Sequence, residues 1–320
     1  MQTISIGKIR GIQQCTSWRG TFTCLALDHR QNLRKALNPQ NPSATTDSEL
    51  SQFKIDVTSA LGGDATAVLL DPEVSAAQAI AQGALSGKTA FVVAVESTGY
   101  GGEATARQSH ILPGWSIEKA KRMGANMVKL LVYYHPNSPT APEIESFTRQ
   151  VAEDCIKYDL GLMLEPLSYS LDAQNKLSSD EKRYVVVETA RRLTPIPGVD
   201  ILKAEFPLDT GDLDEVKWAA ACAEVSAASS TPWILLSAAV SYELYLRQVI
   251  TACSAGASGI AVGRAVWQEA VEMRAEARQN FLRTTARERL SRLNALCTAL
   301  AKPVQDFFSA QPDFNWYKTY

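Results

Sequence analysis

The sequence predicts a (β/α)8 barrel, and three observations predict it. Eight short runs dense in β-branched and other apolar residues recur along the chain, and near-continuous apolar runs of this kind suit parallel strands covered on both faces. Amphipathic segments with readable caps separate them. The turn after the first run reads LALDHRQ, with no glycine, where a doubly wound open sheet would normally carry a glycine-rich phosphate turn. Strand and helix alternating eight times therefore fit a closed barrel better than an open sheet.

The runs are residues 22–28 (FTCLALD), 65–71 (ATAVLLD), 91–96 (FVVAVE), 127–134 (MVKLLVYY), 160–167 (LGLMLEPL), 201–207 (ILKAEFP), 232–237 (PWILLS) and 259–264 (GIAVGR). After the first, Asp47 stands as a cap before Leu50, Phe53, Val57 and Leu61, with Gly62 and Gly63 as the stop. Ser116 caps a segment over 117–123, and Gly124 follows it. Pro142 opens a segment carrying Ile144, Phe147 and Val151, since proline suits a first helical turn. Ser241 precedes Leu246, Val249, Ile250 and Cys253, and Gly256 closes that helix.

Two stretches exceed a minimal barrel. Residues 97–113 form a glycine-rich polar loop after the third run, the place for a lid or an oligomer contact. Residues 273–301 read as one or two amphipathic helices, followed by an aromatic tail. Phe307, Phe308, Phe314, Trp316 and Tyr317 are expected to dock on the body or on a neighbouring subunit, which points to a dimer. Without a linker, residues 1–320 read as one barrel domain with a C-terminal helical extension.

Composition removes several function classes. A net charge of −2 gives no general field for nucleic acid or anionic lipid, and no apolar run approaches the ~18 residues that span a bilayer. The six cysteines are scattered without a C-x-x-C pair, which argues against a zinc or redox motif. The first fifteen residues contain no continuous apolar stretch of signal-peptide type. A cytoplasmic protein is expected.

The informative residues are ionisable groups at the ends of apolar runs, because the active site of such a barrel lies at the carboxyl ends of its strands. Asp28 ends the first run, Lys129 lies in the fourth and Glu165 in the fifth. Lys203 and Glu205 share one face of the sixth, opposite Ala204 and Phe206, while Ser237 ends the seventh and Gly263 and Arg264 the eighth. A buried charge costs several kcal/mol unless it is paired. One structural ion pair, Lys203 with Glu165 or Glu205, would explain one lysine. Two lysines, several carboxylates and an arginine converging on one end point to catalysis.

The chemistry that suits this set is imine formation. A lysine attacks a ketone only when neutral, and desolvation with a second ammonium nearby favours the neutral amine. Lys129 is placed to be that neighbour, and Glu165 to move the protons of carbinolamine dehydration and C–C cleavage. Ser237, Gly263 and Arg264 fall in the loops where barrels often bind phosphate, and an arginine fork matches phosphate oxygens. The plain alternative for Arg264 is a rim salt bridge to Glu269 or Glu243.

The blocks ALDHR (26–30), VKLLVYY (128–134), LEPL (164–167), ILKAEFP (201–207), WILLSAAV (233–240) and AGASGIAVGRAVW (255–267) together resemble the tagatose-1,6-bisphosphate aldolase family, to which the sulfofructose-phosphate aldolases are close. The resemblance implies cleavage of a ketohexose bisphosphate to dihydroxyacetone phosphate and glyceraldehyde 3-phosphate, with no metal and no cofactor. It makes Lys203 the imine-forming lysine, Glu165 the proton-transferring glutamate and Lys129 the second lysine. Asp28 would contact substrate hydroxyls and Arg264 the phosphate, beside Ser237 and Gly263. His29 and Arg30 would complete the substrate-binding set. Two departures bear on the substrate: LSAAV stands where the family often has LSAGV, so Ala239 replaces glycine near the phosphate, and His29 stands where glutamine often follows the aspartate.

Three other readings stay open from sequence. A metal-dependent aldolase would need grouped histidines, of which only His29, His110 and His135 are available. A sulfofructose-phosphate aldolase would take a sulfonate at the far end of the substrate. A non-catalytic sugar-phosphate sensor would keep the pocket, but would not need the full lysine–glutamate set.

Overall fold

The structure, a computed structural model, describes every residue except Thr319. Eight parallel strands close into a barrel: β1 (Phe22–Ala26), β2 (Ala67–Leu70), β3 (Ala90–Ala94), β4 (Met127–Tyr133), β5 (Gly161–Leu167), β6 (Ile201–Ala204), β7 (Trp233–Leu236) and β8 (Gly259–Val262). All eight runs read from the sequence are present as strands. The ladders stop one to three residues short of several run ends, because there the chain leaves the sheet to place its last residues at the mouth. After β1, for example, Leu27 N still donates to Leu69 O, and Asp28 lies beyond the ladder.

Around the barrel run α1 (Ile6–Gln14), α2 (Gln31–Leu37), α3 (Asp47–Leu61), α4 (Ala76–Ala81), α5 (Ile117–Arg122), α6 (Ala141–Lys157), α7 (Ser179–Leu193), α8 (Glu215–Ala228), α9 (Tyr242–Ser254), α10 (Arg264–Trp267), α11 (Ala275–Phe281) and α12 (Arg287–Leu300). Ser116 and Ser241 cap α5 and α9 by accepting from Lys119 N and Leu244 N. Gly124 and Gly256 follow these helices at φ +88° and +109°, the left-handed region that glycine enters without a Cβ clash. The cap of α3 differs from the expectation. Thr46, not Asp47, accepts from Glu49 N while the Glu49 carboxylate accepts from Thr46 N, so Asp47 is already the first helical residue. Gly62 keeps φ −60° and carries the chain into a 3-10 turn rather than stopping it.

The helical extension is a single run: α11 passes through a π turn at Leu282–Ala286 directly into α12. Leu282, Ala286, Leu290, Leu293 and Cys297 form its buried stripe. Of the aromatic tail, Phe308 is buried under the barrel, where Phe308–Ser309 pairs in parallel with Gln2–Thr3. Tyr320 adds a tie by accepting from Gly7 N. Phe314, Trp316 and Tyr317 lie on the surface, so only part of the tail docks on its own chain.

Side-chain alternation splits the core into two clusters. Leu25, Val68, Val93, Val128, Leu164, Leu202 and Leu235 face the helices. Phe22, Leu69, Val92, Met127, Met163, Ile201 and Ile234 fill the barrel interior, which Ile12, Cys15 and Val304 close from below. No described helix is long and apolar enough to cross a membrane. One buried ion pair fastens the N-terminal helix to this floor: Lys8 Nζ lies 2.8 Å from Asp200 Oδ2 and 3.1 Å from Gly198 O. Asp200 Oδ2 also accepts from Leu162 N of β5 at 2.8 Å. Removing one partner leaves the other charge buried and uncompensated. Lys8→Met is expected to lower the stability read from urea denaturation by about 3–5 kcal/mol.

Candidate active site

The same alternation that builds the apolar floor lifts a charged layer above it. Met127 points into the barrel, so Lys129, two residues on, does too. Glu165 stands in the same relation to Met163, Lys203 to Ile201, and Asp28 to Ala26. Their neighbours Leu130, Leu164 and Ala204 turn outward into the helix layer. One strand pleat therefore separates an oil-like interior from four ionisable groups at the carboxyl mouth.

These groups meet. Lys129 Nζ lies 2.7 Å from Asp28 Oδ2, 2.7 Å from Glu96 Oε1 and 2.9 Å from Glu165 Oε2. Lys203 Nζ lies 2.9 Å from Glu165 Oε1, so Glu165 bridges the two lysines, one through each oxygen. Its Oε2 makes no well-directed hydrogen bond and keeps acceptor capacity. Lys203 pairs with Glu165 rather than Glu205, whose carboxylate instead accepts from Ser168 N and Oγ.

Burial favours the neutral amine at Lys129, but Asp28, Glu165 and Glu96 overcome it and hold the ammonium well above the usual lysine range. Burial likewise pushes the Asp28 and Glu165 carboxyls up, and Lys129 and Lys203 outweigh it, so both are held below their ordinary values. Three carboxylates face Lys129, and Lys203 Nζ contacts one of them, Glu165.

A cleft of about 660 Å³ opens over this layer. Gly263, Arg264 and Ser237 line one side, Asp28, His29 and Arg30 another, and Tyr100 and Tyr133 a third. Arg264 makes no ion pair among the described residues, and its buried Nε has no partner. The rim salt bridge is not formed, since Glu269 takes Arg289 instead. Burial lowers the guanidinium below its ordinary value, with Asp28 opposing. Beside it, Gly263 N donates to Ser237 Oγ at 3.2 Å. Ser237 opens a tight turn closed by Val240 N donating to Ser237 O, in which Ala238 and Ala239 have φ of +38° and +59°. Two alanines in the left-handed region cost roughly 1–2 kcal/mol each. The alanine in place of glycine thus appears as backbone strain beside Arg264.

Arg30 lines the cleft, where the Glu73 carboxylate engages its Nη1 and Glu96 O its Nη2 at 2.9 Å, while its buried Nε has no partner. His29 packs edge-on against Trp267 at 5.4 Å, and its buried Nδ1 has no partner. The loop over residues 97–113 contains a small hairpin, Gly101–Glu103 with Ala106–Gln108. Arg107 sits over the rings of Tyr100, Tyr169 and Tyr133 at 4.3, 4.7 and 5.2 Å, which fastens this loop against β4 beside the cleft.

Sequence reasoning missed Glu96 and the Lys54–Asp71 pair buried behind β2. Both acids close an apolar run just as Asp28 does, so the same signal was available. His135 does not line the cleft: its Nδ1 accepts from Asn137 N, and its ring packs beside Tyr169. A groove of similar size, about 650 Å³, lies beside Trp18 and Asn294 but gathers no buried set of acids and bases.

A primary amine in contact with a buried carboxylate, raised on an apolar floor, is an arrangement suited to carbonyl chemistry. The sequence profile of the DeoC/LacD family aldolases matches residues 22–269, and the chain belongs to that family: it is an aldolase, a carbon–carbon lyase. It is 30% identical to tagatose 1,6-diphosphate aldolase 2 of Enterococcus faecalis over 94% of this chain and 96% of that one. It is 30% identical to the tagatose 1,6-diphosphate aldolase of Staphylococcus haemolyticus over 93% and 98%. Solved structures share the fold. An archaeal fructose 1,6-bisphosphate aldolase superposes with TM-score 0.61 at 22% identity, over 91% of this chain and 99% of that one. Plasmodium falciparum fructose-bisphosphate aldolase gives 0.73 at 13%, over 94% and 98%.

Burial holds the His29 imidazole down to about 4 from an ordinary 6.5, with Asp28 opposing and Arg264 adding. As pH falls from 6.5 to 4, the unfolded chain takes up this proton before the folded one does, so stability is lost across that window. His29→Gln is expected to flatten that part of the fall, read as the difference between the two proteins' urea midpoints at pH 7, 5.5 and 4.5. Parallel midpoint curves would show that His29 titrates normally.

Proposed function

We propose that this aldolase works through a Schiff base on Lys203 and cleaves a ketohexose 1,6-bisphosphate to dihydroxyacetone phosphate and glyceraldehyde 3-phosphate. The observation that carries the reading is the 2.9 Å contact between Lys203 Nζ and Glu165 Oε1. Transfer of one proton turns this ion pair into an amine and a carboxylic acid with no change in net charge. A substrate that displaces water from the cleft favours the neutral pair.

The amine adds to the C2 ketone. Glu165 then returns its proton to the carbinolamine oxygen, water leaves, and an iminium forms on Lys203. Removal of the C4 hydroxyl proton, with Glu165 as the base, breaks the C3–C4 bond. The bond electrons pass into the enamine and the aldehyde leaves. Protonation of the enamine at C3 and hydrolysis of the iminium release dihydroxyacetone phosphate and restore the amine. Asp28, held in place by Lys129, is positioned to accept from substrate hydroxyls. Arg264, Ser237 and Gly263 offer N–H and O–H donors to one phosphate. The similarity to tagatose 1,6-diphosphate aldolases supports a bisphosphate substrate.

Borohydride reduction with dihydroxyacetone phosphate is expected to add one triose phosphate to the peptide containing Lys203. Lys203→Met should fold and show neither adduct nor cleavage of tagatose or fructose 1,6-bisphosphate. An adduct elsewhere, or activity lost to EDTA and restored by a divalent metal, would overturn the reading.

Arg264→Ala removes a charged donor pair. It is expected to raise KM for the bisphosphate roughly tenfold to a hundredfold with a smaller change in kcat. An unchanged KM would move the phosphate site elsewhere.

A further inference from the structure

Three carboxylates surround Lys129, and the roles above use two of them, Asp28 and Glu165. The third, Glu96, is 3% exposed and follows β3. Its Oε1 accepts from Lys129 Nζ at 2.7 Å, and its Oε2 accepts from Leu131 N of β4 at 3.1 Å. Its backbone is bridged to Ile111, beyond the small hairpin. Arg30 holds it from behind, with Nη2 at 2.9 Å from Glu96 O and 3.5 Å from Glu96 Oε1, while its Nη1 is engaged by Glu73. Glu73, Arg30, Glu96 and Lys129 thus form a chain leading from the loop after β2 into the centre of the charged layer.

We propose that Glu96, latched by Arg30, is a positioning residue that keeps Lys129 an ammonium at the step in which Glu165 is protonated. The inference rests on the Schiff-base reading. When Glu165 takes the proton of Lys203, it ceases to be an anion and Lys129 loses one of its three counter-charges. The groups still facing Lys129 are Asp28 after β1 and Glu96 after β3, with Lys203 across Glu165, Tyr133 further along β4 and Arg30 behind Glu96. With Asp28 alone, Lys129 would hold its proton less firmly and would offer Glu165 a second proton donor beside Lys203. With Glu96 fixed in position, Lys129 stays charged and keeps Asp28 oriented. The proton then passes only between Lys203 and Glu165. Arg30 accordingly serves the lysine pair rather than a phosphate.

Glu96→Gln keeps the shape of the side chain and removes its charge. Its kcat is expected to fall about tenfold or more, in the range that positioned proton transfer contributes, with KM within about twofold. The alkaline limb of its kcat–pH profile should move down by about 1 pH unit, because Lys129 has lost an anion. Arg30→Gln should move the same limb in the same direction by less, again with little change in KM. A folded Glu96→Gln protein with the wild-type kcat and alkaline limb would overturn the proposal. So would an Arg30→Gln protein whose only defect is a raised KM, and this variant decides the matter if Glu96→Gln does not fold. Borohydride trapping of the wild type separates the two levels. A wild type that fails to trap on Lys203 overturns the Schiff-base reading itself, whereas normal trapping with unmoved alkaline limbs overturns only the role of Glu96.

Discussion

The organisation of this molecule depends on one carboxylate shared between two ammonium groups. Glu165 stands between Lys129 and Lys203 at 2.9 Å from each, above an interior built from Met127, Met163, Ile201 and Ile234. Buried charges of this kind are tolerated only when each has its partner close and fixed. The barrel satisfies that requirement by bringing β1, β3, β4, β5 and β6 to one mouth. The two lysines differ in what surrounds them. Lys129 is held as a cation by three carboxylates, whereas Lys203 contacts only Glu165 among them.

Around that cluster the structure divides rigid support from spare binding capacity. Lys8 and Asp200 below, Lys54 and Asp71 behind β2, and Arg30 with Glu73 and Glu96 are ion pairs built into the frame, although the buried Nε of Arg30 keeps no partner. Arg264 is the contrasting case: a partly buried guanidinium whose Nε has no partner, beside a turn that holds two alanines in the left-handed region. Strain and an unsatisfied donor meet in one place there, the position at which the proposed reaction puts a phosphate. The Arg107 stack fixes the loop over residues 97–113 on the opposite side of the cleft without using any carboxylate.

Much of the active layer was legible because strand alternation and residue chemistry are local properties. Lys129, Glu165 and Lys203 each sit two residues beyond an inward apolar side chain, and a charge at that spacing cannot turn outward without reversing its whole strand. Asp28, Ser237 and Arg264 were legible as polar ends of apolar runs. Glu96 ends its run in the same way, yet sequence alone gave no reason to prefer it over Asp71. One turns to Lys129 in the mouth, the other to Lys54 on α3, and only the packing of loops decides which. The start of α3 was misplaced by one residue because both Thr46 and Asp47 are capping types. The reciprocal bond with Glu49 selects Thr46.

The sequence by itself determined the eight-strand alternation, the apolar floor, and the lysines and glutamate that a barrel must carry at its open end. These follow from periodicities of two and about 3.6 residues, which the backbone imposes on any chain. The tertiary structure alone decided the pairings: that Lys203 shares Glu165 rather than Glu205, that Arg30 holds Glu96, and that Arg264 is left without an acid. Ion pairing in the charged layer joins residues 33 to 101 positions apart in the chain, and no local pattern encodes such distances. They exist only once the barrel has closed.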